Sequence, residues 1–259
     1  MTHTFYKYQG TGNDFVIIDN RQNVFDKNNT KLVAQLCDRR FGIGADGLIL
    51  LENHDDVDFK MVYYNSDGNE STMCGNGGRC LVAFAKRIGV INNEATFLAI
   101  DGIHHAKIED NIVKLQMQDV SNIEAFKNHV FLDTGSPHHV EIRDNINAID
   151  IKNEGSSIRY GEPYNEEGTN VNFVEKISDS IFAVRTYERG VEDETLSCGT
   201  GVTAVGIAMY ATGGTNNNLI TLQTKGGDLK VAFKQEGNGF KDVWLIGPAT
   251  MVYKGKIAW

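Results

Sequence analysis

The pattern of hydrophobic and polar positions is similar in the two halves of the chain. MVYYN and FAVRTYE, which start at residues 61 and 182, are rich in β-branched and aromatic residues and predict strands. Residues 76–88 and 200–212 carry small and apolar residues without proline and predict helices, which Gly89 and Gly213 end. Short strands follow, with TFLAI, HAKIE and IVKLQM in the first half and LITLQT, LKVAF and DVWLI in the second. The order predicts an α+β fold in which each sheet, mostly antiparallel, wraps a central helix.

An internal repeat with an offset of 124 positions accounts for this similarity. Seven pairs are identical in one ungapped register: Tyr63 and Tyr187, Glu70 and Glu194, Cys74 and Cys198, Gly75 and Gly199, Gly77 and Gly201, Gly89 and Gly213, and Gly102 and Gly226. The period is too long for a solenoid. We therefore predict two similar domains that face each other, residues 1–116 and 117–246. Residues 247–259 have no counterpart in the first half and are expected to pack back on the first domain.

Composition and charge exclude several classes of protein. The 259 residues carry a formal net charge of −9 and no block of five basic residues, which argues against a nucleic-acid partner. The longest apolar run, Cys80 to Ala85, has six residues, whereas a membrane span needs about 18. The first residues, MTHTFYKYQG, lack the pattern of a secretory signal. We expect a cytoplasmic protein that does not associate with membranes.

The four cysteines, at positions 37, 74, 80 and 198, are predicted to be reduced thiols. No CxxC pair or nearby histidine offers the spacing of a zinc site, so no metal is expected. Cys37 and Cys80 lie in apolar-patterned stretches and have no cysteine partner in the repeat, which favours a structural role. Cys74 and Cys198 match each other, which favours a functional role.

Cys74 and Cys198 each precede a predicted helix, in the sequences CGNG and CGTG. The unsatisfied N–H groups and the positive dipole of a helix N-terminus stabilise an anion, and this lowers the pKa of a thiol there. The same amides can bind a carboxylate, and glycine permits a close approach. Two such helix starts would hold one carboxylate between two cysteines. That arrangement suits removing a proton from one face of a carbon and returning one on the other.

Five segments carry a resemblance to a known family: GTGNDF, CDRRFGIGADG, NSDGNESTMCGNGGRC, TNVNF and YERGVEDETLSCGTG. In this order they resemble the diaminopimelate epimerases along essentially the whole chain. The resemblance implies two pseudo-symmetric domains with the active site in the cleft between them. It also implies a homodimer that interconverts LL- and meso-2,6-diaminopimelate in lysine biosynthesis, with neither pyridoxal phosphate nor a metal.

The resemblance also implies which residues react. Cys74 and Cys198 would be the two acid/base residues, one entering as thiolate and the other as thiol. Glu188 would hold the reacting ammonium group and help to set the pKa of one cysteine, and His138 would tune the other cysteine. The carboxylate at the reacting centre would be bound by the amides of Gly75, Asn76, Gly199 and Thr200.

The far end of the substrate is expected to be recognised by a separate set of residues. Arg189 would clamp the distal carboxylate, and Asn13, Asn65 and Asn170 would bind the distal amino-acid end. Two positions depart from the family pattern: Gly47 replaces a common glutamine, and Ser136 replaces a common asparagine in GSPH. Both are expected to change distal recognition rather than the reaction.

Two alternatives remain open from the sequence. One is a two-cysteine racemase of the proline or hydroxyproline type, whose substrate has one carboxylate and would leave Arg189 and three asparagines without a role. The other is a redox protein in which Cys74 and Cys198 switch between thiol and disulfide. This second alternative does not explain the paired glycine-rich helix starts.

Overall fold

The computed structural model describes residues Met1–Trp259. The α-helices are α1 (Thr30–Cys37), α2 (Gly75–Arg87), α3 (Ile151–Tyr160) and α4 (Gly199–Ala211). The strands are β1 (Thr2–Gly10), β2 (Asn13–Asp19), β3 (Gly47–Glu52), β4 (Phe59–Asn65), β5 (Glu94–Ala99), β6 (Gly102–Glu109), β7 (Ile112–Gln116), β8 (Ile123–Ala125), β9 (Val130–Asp133), β10 (Pro137–Ile142), β11 (Asn170–Lys176), β12 (Ile181–Glu188), β13 (Asp193–Thr195), β14 (Leu219–Thr224), β15 (Gly227–Glu236), β16 (Gly239–Pro248) and β17 (Thr250–Ala258). None of the helices combines the length and the apolar character that a membrane span requires.

The chain divides into two compact units. The first comprises Met1–Leu115 together with Gly247–Trp259, and the second comprises Gln116–Ile246. Each unit holds a mixed, mostly antiparallel sheet and one central helix, which confirms the predicted α+β class.

In the first unit, the sheet covers helix α2 on several sides. Strand β1 pairs antiparallel with β17 and β2, and the pairs β2–β3 and β4–β5 are parallel. Phe15, Ile49 and Met61 lie next to Gly77 of α2. Val16 and Leu48 belong to a second cluster, which includes residues of α1. Because both faces of the sheet are covered, β2 and β3 are unbroken apolar runs rather than alternating ones.

The second unit repeats this plan. Strands β10 and β11 pair in parallel, as do β12 and β14, in the positions of the two parallel pairs of the first unit. Helices α2 and α4 have 13 residues each and begin and end at equivalent positions of the repeat. Gly89 and Gly213 follow the two helices with φ angles of 75° and 74°, a left-handed backbone that favours glycine. The predicted helix stops are therefore present, and each helix starts one residue earlier than expected.

The last strand belongs to the first unit. β17 pairs antiparallel with β1 from Thr2 opposite Ala258 to Gln9 opposite Thr250. Trp259 stacks on His3 with ring centroids 4.2 Å apart. The sheet of the first unit thus contains both ends of the chain.

Candidate active site

Cys74 and Cys198 are the N-cap residues of α2 and α4. Both have an extended backbone, with φ and ψ of −99° and 123° at Cys74 and of −119° and 117° at Cys198. Neither side chain forms a capping hydrogen bond to its helix. The N–H groups of the first helical turn have no acceptor within the helix, so a bound anion can accept from them.

Around Cys74, two asparagine amides have fixed orientations. The Sγ atom of Cys74 lies 3.5 Å from Oδ1 of Asn13, and Nδ2 of Asn76 donates to the same oxygen at 3.3 Å. Nδ2 of Asn13 donates to Asp46 at 2.7 Å, and Oδ1 of Asn76 accepts from Arg79 at 2.9 Å. Because a carboxylate only accepts and a guanidinium only donates, these partners determine which amide atom faces Cys74.

The start of β2, where Asn13 lies, is held by a cluster of charges from strand β1 and from the GTGNDF and CDRRFGIGADG segments. Asp14 forms ion pairs with Lys7 at 2.8 Å and with Arg39 at 2.7 Å, and Arg39 also binds Asp46 at 2.7 Å. Burial alone would raise the pKa of Asp14, but hydrogen bonds from Arg39 and Lys7 outweigh it and lower that pKa to about 2. Asp14 is therefore a carboxylate at neutral pH.

Asn65 and Gly47 lie opposite each other at the same edge of the sheet. Asn65 is the last residue of β4 and is exposed, and Gly47 is the first residue of β3. A Cβ atom at Gly47 would lie 2.6 Å from Cε2 of Tyr63 and 2.5 Å from the carbonyl oxygen of Tyr64. The side chain that the family pattern places at position 47 therefore has no room here, because the Tyr63 ring and the Tyr64 carbonyl occupy the space.

Around Cys198, a chain of hydrogen bonds leads inward to a buried histidine. Sγ of Cys198 lies 3.4 Å from Oγ1 of Thr200, which accepts from Oγ of Ser136 at 3.1 Å. Ser136 Oγ lies 3.1 Å from Nε2 of His138, and Nδ1 of His138 lies 3.1 Å from Nδ2 of Asn172. Since the amide of Asn172 donates to Nδ1, the imidazole proton sits on Nε2 and donates to Ser136. From Asn172 to Thr200, each donor in the chain thus points towards Cys198.

The buried amide of Asn172 sets the direction of this chain. Its Oδ1 accepts from Thr186 at 2.9 Å, and its Nδ2 also donates to the carbonyl of His139 at 3.0 Å. A Cβ atom at Gly201 would lie only 2.6 Å from Asn172 Oδ1. The second glycine of CGTG is therefore required for the close approach of β11 to α4.

His138 is neutral in this structure. It is fully buried, and burial together with the positive charge of Arg189 lowers its pKa to about 3. The imidazole therefore acts as a hydrogen-bond relay to the residues beside Cys198 and not as a cation.

Asn170, Glu188 and Arg189 are held at neighbouring ends of β11 and β12. The amide of Asn170 donates to the carbonyl of Pro137 at 3.0 Å and accepts from the backbone N–H of Arg189 at 2.9 Å. The Arg189 guanidinium donates to the carbonyl of Glu167 at 2.9 Å. The carbonyl of Glu188 accepts from the N–H of Glu192 at 2.8 Å, which closes the turn after β12.

Comparison with known proteins decides the family. The sequence model of diaminopimelate epimerase matches residues 5–123 and 130–252. A curated diaminopimelate epimerase from Flavobacterium psychrophilum is 62% identical over 253 residues, 97% of this chain and 99% of the relative. The chain belongs to the diaminopimelate epimerase family. A second family relative, from Chlorobaculum tepidum, is 42% identical over 96% of this chain and 98% of its own length.

Solved structures show the same fold outside the diaminopimelate epimerase family. A phenazine biosynthesis protein of the PhzF family from Bacillus anthracis superposes with a TM-score of 0.80 at 13% identity, over 100% of both chains. A hydroxyproline epimerase from Agrobacterium vitis superposes with a TM-score of 0.68 at 14% identity, over 99% of this chain and 91% of that one. Together with the family match, these structures confirm the predicted two-domain fold.

The structure gathers the predicted site residues into two groups, one in each unit. The first unit brings together Cys74, Gly75, Asn76 and Asn13, with Asn65 at the same sheet edge. The second unit contains Cys198, Gly199, Thr200, His138, Asn170, Glu188 and Arg189. Their individual roles in the reaction remain predictions.

The hydrogen bonds of the site depend on three residues whose role the sequence did not fully indicate. Asn172 alternates with Asn170 in TNVNF, and this spacing of two places both side chains on one face of a strand, a signal that was available. Arg79 stands inside an apolar helical segment and falls on Thr203 in the repeat, so its polar role had no such signal. Ser136 is expected in distal recognition and accepts from Asn170, and its hydroxyl also joins His138 to Thr200, which the sequence did not indicate.

Proposed function

We propose that this chain is a diaminopimelate epimerase that interconverts LL- and meso-2,6-diaminopimelate as a step of lysine biosynthesis. The observation that carries the proposal is the pair of cysteines that begin the equivalent helices α2 and α4. Support comes from the 62% identical relative that bears this name. A redox switch would not require matching anion-binding helix starts in both units.

The reaction proceeds by a two-base mechanism. The thiolate of one cysteine takes the α-proton, so that the C–H bond breaks and an S–H bond forms. The thiol of the other cysteine gives its proton to the opposite face, which forms the new C–H bond and leaves a thiolate. In the reverse direction the two roles are exchanged. The charge that develops on the α-carbon spreads into its carboxylate, which the helix N-termini at Gly75, Asn76, Gly199 and Thr200 stabilise.

The hydrogen-bond chain behind Cys198 supports its thiolate form. A thiolate accepts the hydroxyl proton of Thr200, whose oxygen already accepts from Ser136. Because His138 is neutral, the chain stabilises the anion through dipoles and delivers no proton of its own. Around Cys74, the thiol form can donate to Oδ1 of Asn13. Each cysteine thus has a partner that suits one of the two protonation states.

The remaining residues recognise an amino acid with two ends. Glu188 binds the reacting ammonium group, Arg189 binds the distal carboxylate in two-point fashion, and Asn13, Asn65 and Asn170 bind the distal amino-acid end. Such a set exceeds what proline or hydroxyproline needs. Because the chain itself supplies the acid, the base and the donors for the carboxylate, the proposed reaction uses no pyridoxal phosphate and no metal. We also propose that the enzyme is a cytoplasmic homodimer, which light scattering and cell fractionation will test.

Proton NMR of LL-diaminopimelate with the reduced protein in D₂O tests the proposed function. We expect the meso isomer to appear with deuterium at one α-carbon only. Cys198→Ala should abolish this exchange, whereas Cys80→Ala, which alters a fully buried thiol outside the site, should retain it. Exchange with proline or hydroxyproline instead of diaminopimelate would transfer the protein to the racemases. Exchange with none of these substrates would refute the proposal.

A further inference from the structure

The sheet edge beside Cys74, formed by the ends of β2, β3 and β4, carries a tyrosine hydroxyl that is not among the predicted site residues. Strand β2 begins at Asn13, β3 begins at Gly47 and β4 ends at Asn65, and the strand registers place Gly47 next to Phe15 on one side and opposite Asn65 on the other. The Asn13 end of this edge reaches Cys74, because Asn13 Oδ1 lies 3.5 Å from its Sγ atom. Gly47 is thus the one position of this edge without a side chain.

Tyr63 fills the space above Gly47. Residues 63 and 65 of β4 project to the same face, because side chains alternate along a strand, and Gly47 lies opposite Asn65. A Cβ atom at Gly47 would lie 2.6 Å from Cε2 and 3.1 Å from Oη of Tyr63. The ring also meets Phe15 edge-on, with centroids 6.0 Å apart. The phenol ring is therefore fixed, with its hydroxyl over the glycine.

The glycine at position 47 is required by its close neighbours and not by its backbone angles. Gly47 has no positive φ angle, so a residue with a side chain could adopt its conformation. What excludes a side chain is contact with Tyr63 and with the carbonyl of Tyr64, 2.5 Å from the Cβ position. Positions 47 and 63 are thus coupled, because the Tyr63 ring occupies space that a side chain at position 47 would need.

We propose that the hydroxyl of Tyr63 binds the distal end of the substrate and is a specificity-determining group of this enzyme. The inference rests on the proposed function, since it assigns one more contact to the same substrate. A phenol both donates and accepts a hydrogen bond, so it can serve either the distal ammonium or the distal carboxylate. It supplies polarity from strand β4 at the place where the family pattern has a glutamine on β3.

Steady-state kinetics of Tyr63→Phe test the proposal, because this change removes the hydroxyl and leaves the ring. We expect KM for LL-diaminopimelate to rise about 5- to 50-fold while kcat changes less than about threefold, as for a contact made equally in the ground and transition states. Tyr64→Phe is the matched control. It removes the neighbouring hydroxyl, which lies on the other face of β4 and binds the carbonyl of Lys27 at 3.2 Å.

Competition with 2-aminopimelate, which lacks the distal ammonium, shows what the hydroxyl contacts. If Tyr63 binds that ammonium, the Tyr63→Phe variant will lose most of its preference for diaminopimelate over this analogue. If it binds the distal carboxylate, both ligands will weaken equally. An unchanged KM in Tyr63→Phe, with a wild-type enzyme that turns over diaminopimelate, would overturn the inference and leave the proposed function intact. A wild-type enzyme without turnover would instead refute the proposed function.

A double substitution provides a second test. Gly47→Gln alone should impair folding or binding, because the new side chain meets the Tyr63 ring. Gly47→Gln combined with Tyr63→Ala removes the contact with the ring but keeps the contact with the Tyr64 carbonyl, so its KM should fall below that of Gly47→Gln alone without reaching the wild-type value. A double variant no better than Gly47→Gln alone would contradict the pairing of the two positions.

Discussion

Substituting the second glycine of each Cys-Gly-x-Gly segment gives a stability test with a built-in control. A Cβ atom at Gly201 would lie 2.6 Å from Oδ1 of Asn172, a fully buried side chain, and 3.2 Å from Cβ of Cys198. The equivalent atom at Gly77 would meet the Cδ1 methyl of Ile49 at 3.1 Å, with no other atom nearer than 3.5 Å. The two substitutions are chemically identical but meet very different surroundings.

The expected free energies follow from these contacts. Replacing glycine by alanine inside a helix stabilises by up to about 1 kcal/mol. At Gly201 this gain is opposed by about 1–3 kcal/mol of overpacking and by about 1 kcal/mol if Asn172 loses its bond from Thr186. We expect Gly201→Ala to destabilise the protein by about 1–3 kcal/mol. Gly77→Ala should stay within about 1 kcal/mol of the wild type, because the Ile49 methyl can shift.

Thermal unfolding followed by circular dichroism measures this difference. For a chain of this size, each kcal/mol of lost stability lowers the unfolding midpoint by about 2–4 °C. The midpoint of Gly201→Ala should therefore lie several degrees below that of Gly77→Ala. Equal midpoints for the two variants would refute the reasoning, because they would show that the buried Asn172 amide yields as easily as a methyl group.

Three further predictions concern charge and burial. His138 has a folded-state pKa of about 3 against an ordinary value of 6.5, so the unfolded chain binds an additional proton between these pH values. Stability should therefore fall by up to about 1.4 kcal/mol per unit as the pH decreases through this window, and urea midpoints of His138→Gln should show a smaller slope. Burial raises the pKa of both Cys37 and Cys80 to about 12, so iodoacetamide at pH 8 should label neither in the folded protein; peptide mass spectrometry will detect any exception. Asp14→Asn should cost about 3–5 kcal/mol in urea unfolding, because it leaves the buried lysine that it pairs with uncompensated. Glu94→Gln, which breaks an exposed pair, should cost less than about 1 kcal/mol, and equal losses would contradict this distinction.

Local patterns were sufficient to predict the two helices of the site. Small residues after each cysteine and the glycines at 89 and 213 fix where α2 and α4 start and stop, and the structure differs by one residue. The repeat was visible because its identities fall on residues that the local structure requires, such as the N-cap cysteines and the glycines with a left-handed backbone. These requirements depend on a few neighbouring residues, and so the sequence alone reveals them.

Contacts between distant segments were harder to predict. Arg39 of CDRRFGIGADG forms an ion pair with Asp14, which also pairs with Lys7, and no local pattern indicates these contacts. The departure at Gly47 was visible in the sequence, but its partner Tyr63 became apparent only when strand pairing brought the two together. The orientation of the Asn172 amide likewise depends on Thr186, 14 residues along the chain.

The pairing of β17 with β1 has a consequence for how the protein is made. The second unit is one continuous stretch of chain, Gln116–Ile246, whereas the sheet of the first unit lacks a strand until Thr250–Ala258 has been synthesised. During translation the second unit can therefore complete its core first. Until β17 is synthesised, one edge of β1 has unpaired backbone groups, which can pair with the wrong strand.

The same feature suggests a rearranged chain. The N-terminal amino group lies 3.4 Å from the carbonyl oxygen of Trp259, so a short linker can join the two ends. A circular permutant that begins at Ala249, between β16 and β17, would place β17 directly before β1 in the same unit. In such a chain β17 and β1 would be close in sequence, whereas in the present chain they are at opposite ends. We therefore expect the permutant to refold faster than the present chain.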